Sequence, residues 1–143
     1  TEDICHNDLL ILCATVLSHI CQRFANDQKP QTALQIKSET HIPIRVMTDI
    51  LYRLKEVNLI SENFSPTSDE VTYTPTHDTN NITVGEMIAR LESTPASDFA
   101  LLGFSPKKVW NHDIYNRVGS IREAYLNELK SINIKELISC SED

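Results

Sequence analysis

Apolar residues recur at three- and four-residue steps between residues 4 and 25. The recurring residues are Leu9, Leu10, Cys13, Val16, Leu17, Ile20, Cys21 and Phe24. This spacing puts them on one face of a helix and leaves polar residues on the other. A long amphipathic N-terminal helix is therefore predicted, ending in the polar stretch 26–30.

Two shorter helical patterns follow. Thr32 and Gln35 form a Thr-x-x-Gln capping box, which predicts a helix to about residue 38 with Leu34 and Ile36 facing inward. Pro43 suits the first position of a third helix. The core-facing positions of that third helix are Val46, Ile50, Leu51, Leu54 and Val57. Two helices joined by a tight turn predict a helix-turn-helix.

A β-hairpin is predicted directly after the third helix. Asn58 is a good helix stop, and residues 59–63 and 71–76 read as two short strands, the second with alternating Val71, Tyr73 and Pro75. Residues 64–70 supply the loop between them. A hairpin in this position is a wing.

The last part of the chain predicts two more helices. Thr83 and Glu86 begin one that runs to about residue 92, and Ser105 with Pro106 begins a longer one after an irregular connector. The longer helix carries an apolar stripe of Trp110, Ile114, Val118, Ile121, Tyr125, Leu129 and Ile132. A stripe of this length either lies across the domain or pairs with a copy of itself, and we expect a homodimer.

The predicted fold is mainly α with a small β-hairpin: a winged helix-turn-helix with a long N-terminal helix and a long C-terminal helix. Residues 1–93 hold the N-terminal helix and the winged helix-turn-helix, and residues 94–143 hold the connector and the last helix. One domain with one core is expected at this length.

The composition is that of a folded, acidic protein, with 41% hydrophobic residues, 23% charged residues and a net charge of −7. That charge repels phosphates and anionic headgroups, so it disfavours nucleic acid and membrane-surface binding. The apolar run 9–17 is about half the roughly 20 residues that a membrane-spanning helix needs.

Cysteine and histidine patterns give no catalytic, cofactor or metal site. Cys5, Cys13, Cys21 and Cys140 form no Cys-x-x-Cys pair, so buried reduced thiols are favoured over disulfides or metal. The five histidines show no ligand spacing such as His-x-His. We expect no cofactor, no metal and no enzymatic activity.

The third helix carries the candidate nucleic-acid or partner face, which is Arg45, Asp49 and Arg53. These arginines are of the type that reaches into a major groove. Asp49, however, lies four residues from each arginine and can pair with either. The helix-turn-helix and wing carry four basic and seven acidic side chains, a net of −3, so we expect a solvated face.

A family resemblance lies in Ile42-Pro43-Ile44-Arg45-Val46, Ile50-Leu51, Leu54, Val57-Asn58-Leu59-Ile60 and Ile82-Thr83-Val84-Gly85. Over roughly residues 5–93 the chain resembles the C-terminal cytosolic part of YihY/BrkB-type bacterial membrane proteins. The resemblance implies a domain on the cytoplasmic side of the inner membrane, next to an upstream transmembrane region. The family has been labelled ribonuclease BN, which by label alone implies tRNA processing.

The same residues resemble IscR-type regulators, winged-helix dimers with a long C-terminal helix. That family holds an iron–sulfur cluster with cysteines after the wing, whereas this chain has no cysteine between Cys21 and Cys140. The loop 64–70 also lacks the arginine and glycine expected in such a wing.

Two main hypotheses result, with a tRNA-processing ribonuclease third, on the family label alone. The leading one is a non-catalytic winged-helix interaction or dimerisation module of a bacterial membrane protein, and the alternative is a DNA-binding transcription regulator.

Overall fold

The structure is a computed structural model that describes residues 4–94 and 106–137. These residues form five α-helices and three strands, with short 3-10 helices between them. The helices are α1 His6–Ala25, α2 Ala33–Thr40, α3 Ile44–Glu56, α4 Val84–Glu92 and α5 His112–Leu129. The strands are β1 Gln31–Thr32, β2 Ile60–Phe64 and β3 Val71–Pro75, and the 3-10 helices are Thr79–Asn81, Pro106–Lys108 and Ile134–Glu136.

Helix α1 forms the centre of the core. Cys13, Val16, Leu17 and Cys21 are fully enclosed on it, and they belong to the same buried cluster as Ile134 near the other end of the chain. By length and composition alone α1 as a whole could cross a bilayer, although the run 9–17 is too short. A core helix has the same composition, and nearly half of the most apolar stretch of α1 is buried inside the protein.

The helix-turn-helix is confirmed, with changes to its core. The backbone N–H of Gln35 donates to Thr32 Oγ1, and the Thr32 N–H donates to Gln35 Oε1, which completes the predicted capping box. Leu34 was expected to face inward but is 63% exposed. Residues two apart point to different faces of a helix, so of these two residues only Ile36 is buried. In α3, Met47 takes a core position that the prediction left out.

The wing is confirmed, and it is part of a larger sheet than predicted. Strands β2 and β3 pair antiparallel from Ile60↔Pro75 to Phe64↔Val71. A third strand, β1, pairs with the other edge of β3 through Gln31↔Tyr73 and Thr32↔Thr72. The sheet therefore links the wing to the start of α2.

The last helix begins later than predicted. Asn111 Oδ1 accepts a hydrogen bond from the Ile114 N–H and caps α5 at His112, while Pro106 lies in a separate 3-10 helix and Ser105 lies outside the described residues. Trp110 precedes α5 and Ile132 follows it, so the helical part of the stripe is shorter than expected.

Helices α4 and α5 cross in close contact at Gly85. A Cβ at this position would lie 2.6 Å from the Leu126 carbonyl oxygen and 2.7 Å from the Lys130 nitrogen. The chain after α5 then joins the chain before α4, with the Ile134 N–H donating to the Ile82 carbonyl at 2.9 Å. These contacts fix the base of α5 to the core.

Candidate nucleic-acid interface

The candidate interface is the exposed side of α3. The buried side of this helix is Met47, Ile50, Leu51 and Leu54. The opposite side bears Arg45, Thr48, Asp49, Tyr52 and Glu56, all exposed. A left-handed residue, His41 at φ 63°, ends α2 and leads through Pro43 into α3, so the turn presents the first turn of α3 to solvent.

The structure brings together only two of the three residues predicted for this face. Arg53 Nε donates to Asp49 Oδ2 at 2.9 Å, and both side chains are about half exposed. Arg45 has no ion-pair partner among the described residues. Asp49, which could have formed an ion pair with either arginine, therefore pairs with Arg53. Arg45, on the first turn of α3, has no ion pair with a described residue.

Two further side chains belong to this face and were not predicted. Thr48 and Tyr52 are exposed on it. Their spacing of three and seven residues from Arg45 could have placed them on this face from the sequence. Lys55 Nζ lies 5.9 Å from the centre of the Tyr52 ring and 3.5 Å from Glu62 Oε1 in the wing. Lys55 is thus held at the side of the face.

The wing tip has an unusual chemistry for a nucleic-acid contact. Phe64 is 71% exposed at the end of β2. The loop after it is closed by hydroxyl groups, with Ser65 Oγ and Thr67 Oγ1 3.2 Å apart, and it ends in Asp69 and Glu70. The tip therefore offers hydroxyls and negative charge instead of cations.

The predicted dimer residues form an exposed stripe on α5. Ile114, Val118, Ile121 and Tyr125 are exposed, while Leu129 packs at the edge of the core. The Trp110 ring stacks on Tyr115, with ring centres 4.4 Å apart. No other described residue of the chain covers this apolar face.

A charged cluster next to that stripe joins the start of α1, the end of α4 and the middle of α5. Glu92 at the end of α4 accepts from His6 Nε2 of α1 at 2.6 Å and pairs with Arg122 of α5. Burial works to raise the pKa of Glu92, but the hydrogen bonds from His6 and Arg122 outweigh it and hold the pKa below its ordinary value. The cluster fixes the direction in which α5 leaves the core.

The cysteines of the described part are free thiols. Cys13 and Cys21 are buried, and burial raises the pKa of each thiol to about 12, whereas Cys5 is exposed. Cys140 lies outside the described residues. Within 4–94 and 106–137, no three histidine, cysteine or acidic side chains converge as a metal site.

The chain has the winged helix-turn-helix fold of bacterial regulators. It is similar to T. potens IscR, with 14% identity and a TM-score of 0.63 over 99% of this chain and 94% of that one. It is also similar to CymR, the global cysteine regulator of B. subtilis, with 17% identity and a TM-score of 0.62 over 99% of this chain and all of that one. The oxidized form of Staphylococcus aureus CymR matches with 15% identity and a TM-score of 0.60 over 99% of this chain and all of that one.

The predicted fold is therefore confirmed, including the long helices on either side of the winged helix-turn-helix. No protein-family model and no curated protein matches the chain. The predicted origin in a YihY/BrkB-type membrane protein gains no support from these likenesses and stays a prediction.

Proposed function

We propose that this chain is a winged-helix transcription regulator that binds duplex DNA as a homodimer and inserts α3 into the major groove. The observation that carries the proposal is Arg45, exposed on the first turn of α3 and without an ion-pair partner among the described residues. The first residues of a recognition helix contact base edges, and arginine binds guanine O6 and N7 with two hydrogen bonds. The likeness to regulators over almost the whole chain supports the same function.

Asp49 and Arg53 fit this function despite their ion pair. A half-exposed pair at i and i+4 stabilises a helix by only about 0.3–0.5 kcal/mol, so Arg53 can exchange Asp49 for a phosphate at small cost. Asp49, once released, can accept a hydrogen bond from cytosine N4. The Tyr52 hydroxyl is suited to a phosphate oxygen, whereas the Thr48 hydroxyl, which donates to the Arg45 carbonyl at 3.1 Å, would first have to turn away from it.

The acidic charge limits how the chain can bind DNA. Arg45 and Arg53 are the cations on the exposed side of α3, and Lys55 lies at its edge between Glu62 and the Tyr52 ring. The logarithm of the binding constant falls by about 0.9 per neutralised phosphate for each tenfold rise in salt. The four arginines on the two α3 helices of a dimer would therefore contribute about −4 to this slope, and we expect weak non-specific binding. Specificity must come from base contacts on α3.

In a homodimer formed through α5, the second chain would supply a second α3 helix and its DNA contacts. The apolar stripe on α5 is exposed within the described part of one chain, as expected of an interface. Two copies related by a two-fold axis would present two α3 helices to half-sites one or more helical turns apart. The predicted absence of enzymatic activity agrees with this function.

Selection of bound sequences from a random duplex pool at physiological salt tests the proposal. We expect an inverted repeat to be enriched, and Arg45→Ala to weaken its binding by at least tenfold, since one arginine–guanine contact contributes about 1–3 kcal/mol. Arg117→Ala, checked by light scattering to have the mass of the wild type, is the matched control, because Arg117 is an exposed arginine outside α3 and pairs with Asp113 at 3.1 Å. Enrichment of no sequence, or equal affinity in Arg45→Ala, would contradict the proposal.

A second function is favoured by the wing. Exposed Phe64 beside Asp69 and Glu70 suits a protein surface better than a phosphate backbone, which supports a winged-helix protein-interaction module. In that case the selection recovers no DNA motif. Attachment to a membrane protein on the cytoplasmic side of the inner membrane stays a prediction for this second function.

A further inference from the structure

Three polar side chains from three different elements meet between α1 and α2. His19 lies on α1 and is largely buried, Gln31 lies on β1 and is buried, and Glu39 lies in the last turn of α2. His19 Nε2 donates to Gln31 Oε1 at 2.8 Å and lies 3.2 Å from Glu39 Oε1. Gln31 Nε2 donates to Glu39 Oε2 at 3.0 Å. The three side chains form a closed ring of polar contacts, which we call the α2 clamp.

The chemistry of the α2 clamp fixes the role of each group in it. Two oxygens face His19 Nε2, so this nitrogen carries a hydrogen. Gln31 uses both ends of its amide, with the oxygen toward His19 and the nitrogen toward Glu39. Gln31 is 8% exposed, and a buried amide that loses a partner bears the full cost of its removal from water. The ring is therefore complete only while α1, β1 and α2 keep their relative positions.

Helix α2 is held weakly by apolar packing. Of its eight residues, all of them within the described part of the chain, Ile36 alone is buried, whereas α3 buries four side chains. Helix α2 also contacts α1 less extensively than it contacts α3. The start of α2 is fixed by the Thr32 cap and by the pairing of β1 with β3. The α2 clamp supplies a polar link between its last turn and α1.

We propose that His19, Gln31 and Glu39 are positioning residues for DNA binding, which hold α2 in the orientation in which it crosses the DNA backbone. The inference rests on the proposed function and adds to it residues outside α3. In a helix-turn-helix the first helix crosses the backbone, and such contacts fix the register of the protein on the duplex without reading its sequence. An α2 that takes several orientations lowers the apparent affinity by the fraction of molecules in the correct one.

The charge of Glu39 separates positioning from simple electrostatics. Glu39 is half exposed on the helix that would cross the phosphates, in a chain of net charge −7. Removal of one negative charge would by itself strengthen the binding of DNA. A positioning role predicts the reverse, so the direction of the change in Glu39→Ala distinguishes the two.

Two measurements on the full chain test the proposal: hydrogen exchange of residues 33–40 without DNA, and affinity for the selected duplex. His19→Leu and Glu39→Ala should each speed exchange in α2 by about tenfold, because Gln31 loses a partner, and should change exchange in α3 little. Each should weaken DNA binding by about threefold for one α2, or about tenfold for the two of a dimer. His19→Gln should keep both values close to wild type, because its amide nitrogen can donate from nearly the same place.

His77→Leu and Glu70→Ala are the matched controls. His77 is an exposed histidine outside the α2 clamp, with Nδ1 2.7 Å from Thr76 Oγ1. Glu70, in the wing loop, carries the same charge that Glu39→Ala removes. Neither control should speed exchange in α2 or weaken binding. The preference of the clamp variants for the selected duplex over one with a guanine replaced should stay that of wild type, because backbone contacts carry no sequence information.

The outcomes separate the α2 clamp from the proposed function. If α2 exchanges faster while DNA affinity is unchanged, or if Glu39→Ala binds more tightly, the positioning role is wrong and the proposed function stands. Equal losses in His19→Gln and His19→Leu, or a changed preference among bases, would also overturn it. A wild-type chain that binds no duplex contradicts the proposed function, and unchanged exchange in both His19→Leu and Glu39→Ala contradicts the clamp.

Discussion

Gly85→Ala tests whether the close crossing of α4 and α5 is set by the missing side chain. The added Cβ would lie 2.6 Å from the Leu126 carbonyl oxygen, 2.6 Å from Lys130 Cγ and 2.7 Å from the Lys130 nitrogen. The lysine side chain can move, but the two backbone atoms can move only with the helix. Helix α5 must therefore shift away from α4.

The size of the effect follows from two opposing terms. Forcing a methyl group into a filled site costs about 1–3 kcal/mol. Replacing glycine by alanine inside a helix stabilises the helix by up to about 1 kcal/mol. We expect Gly85→Ala to lower the free energy of unfolding by about 1–2 kcal/mol. The melting temperature should then fall by roughly 4 °C per kcal/mol at this chain length.

Gly119→Ala provides the matched control. Gly119 lies in the middle of α5, off the apolar stripe, and a Cβ there meets nothing within 4 Å. The same substitution should stabilise the protein by up to about 1 kcal/mol. Urea unfolding followed by circular dichroism at one protein concentration measures both variants, since a dimer makes stability depend on concentration. Equal or greater stability of Gly85→Ala relative to wild type would refute the packing argument.

Three further predictions concern thiol reactivity, pH and helix capping. In the folded protein Cys5 should react with a thiol reagent long before Cys13 and Cys21, whose burial raises the pKa of each to about 12, and peptide mapping after brief labelling reads this out. Because the pKa of Glu92 is lowered, its contribution to stability is present above about pH 4.5 and is lost as the pH falls through the lowered value. Unfolding free energies measured down to pH 3 should therefore fall less steeply in Glu92→Gln than in wild type. Thr32→Ala removes one half of the capping box of α2 and should cost about 1 kcal/mol, whereas Thr67→Ala in the wing loop should change unfolding little.

The parts of the fold that follow from local chemistry could be predicted. The capping box at Thr32, the stop at Asn58 and the alternation in β3 each depend on residues within a few positions of one another. Strand β1 could not be found this way, because it has two residues and exists only through its pairing with β3. The start of α5 was misplaced because Ser105 with Pro106 and Asn111 are both good start signals, and only the structure selects Asn111.

The sequence predicted where the candidate site lies, but not which arginine forms the ion pair with Asp49. Helical periodicity identified the face with Arg45, Asp49 and Arg53. The sequence left both arginines open as partners of Asp49. An acidic residue one turn before a basic one is the better arrangement on a helix, which explains why Asp49 pairs with Arg53. The structure also has an apolar groove between α1, α4 and α5, which could not be predicted because it joins residues 7 and 137.

A double-mutant cycle between Arg45 and its base pair tests the central claim most directly. The affinities of wild type and Arg45→Ala are measured for the selected duplex and for the same duplex with one guanine per half-site replaced. If Arg45 reads that guanine, the base change should weaken wild-type binding by at least tenfold and Arg45→Ala binding hardly at all, a coupling of about 1–3 kcal/mol per contact. Independent, additive losses at every guanine of the site would contradict the assignment of α3 as the helix that reads DNA.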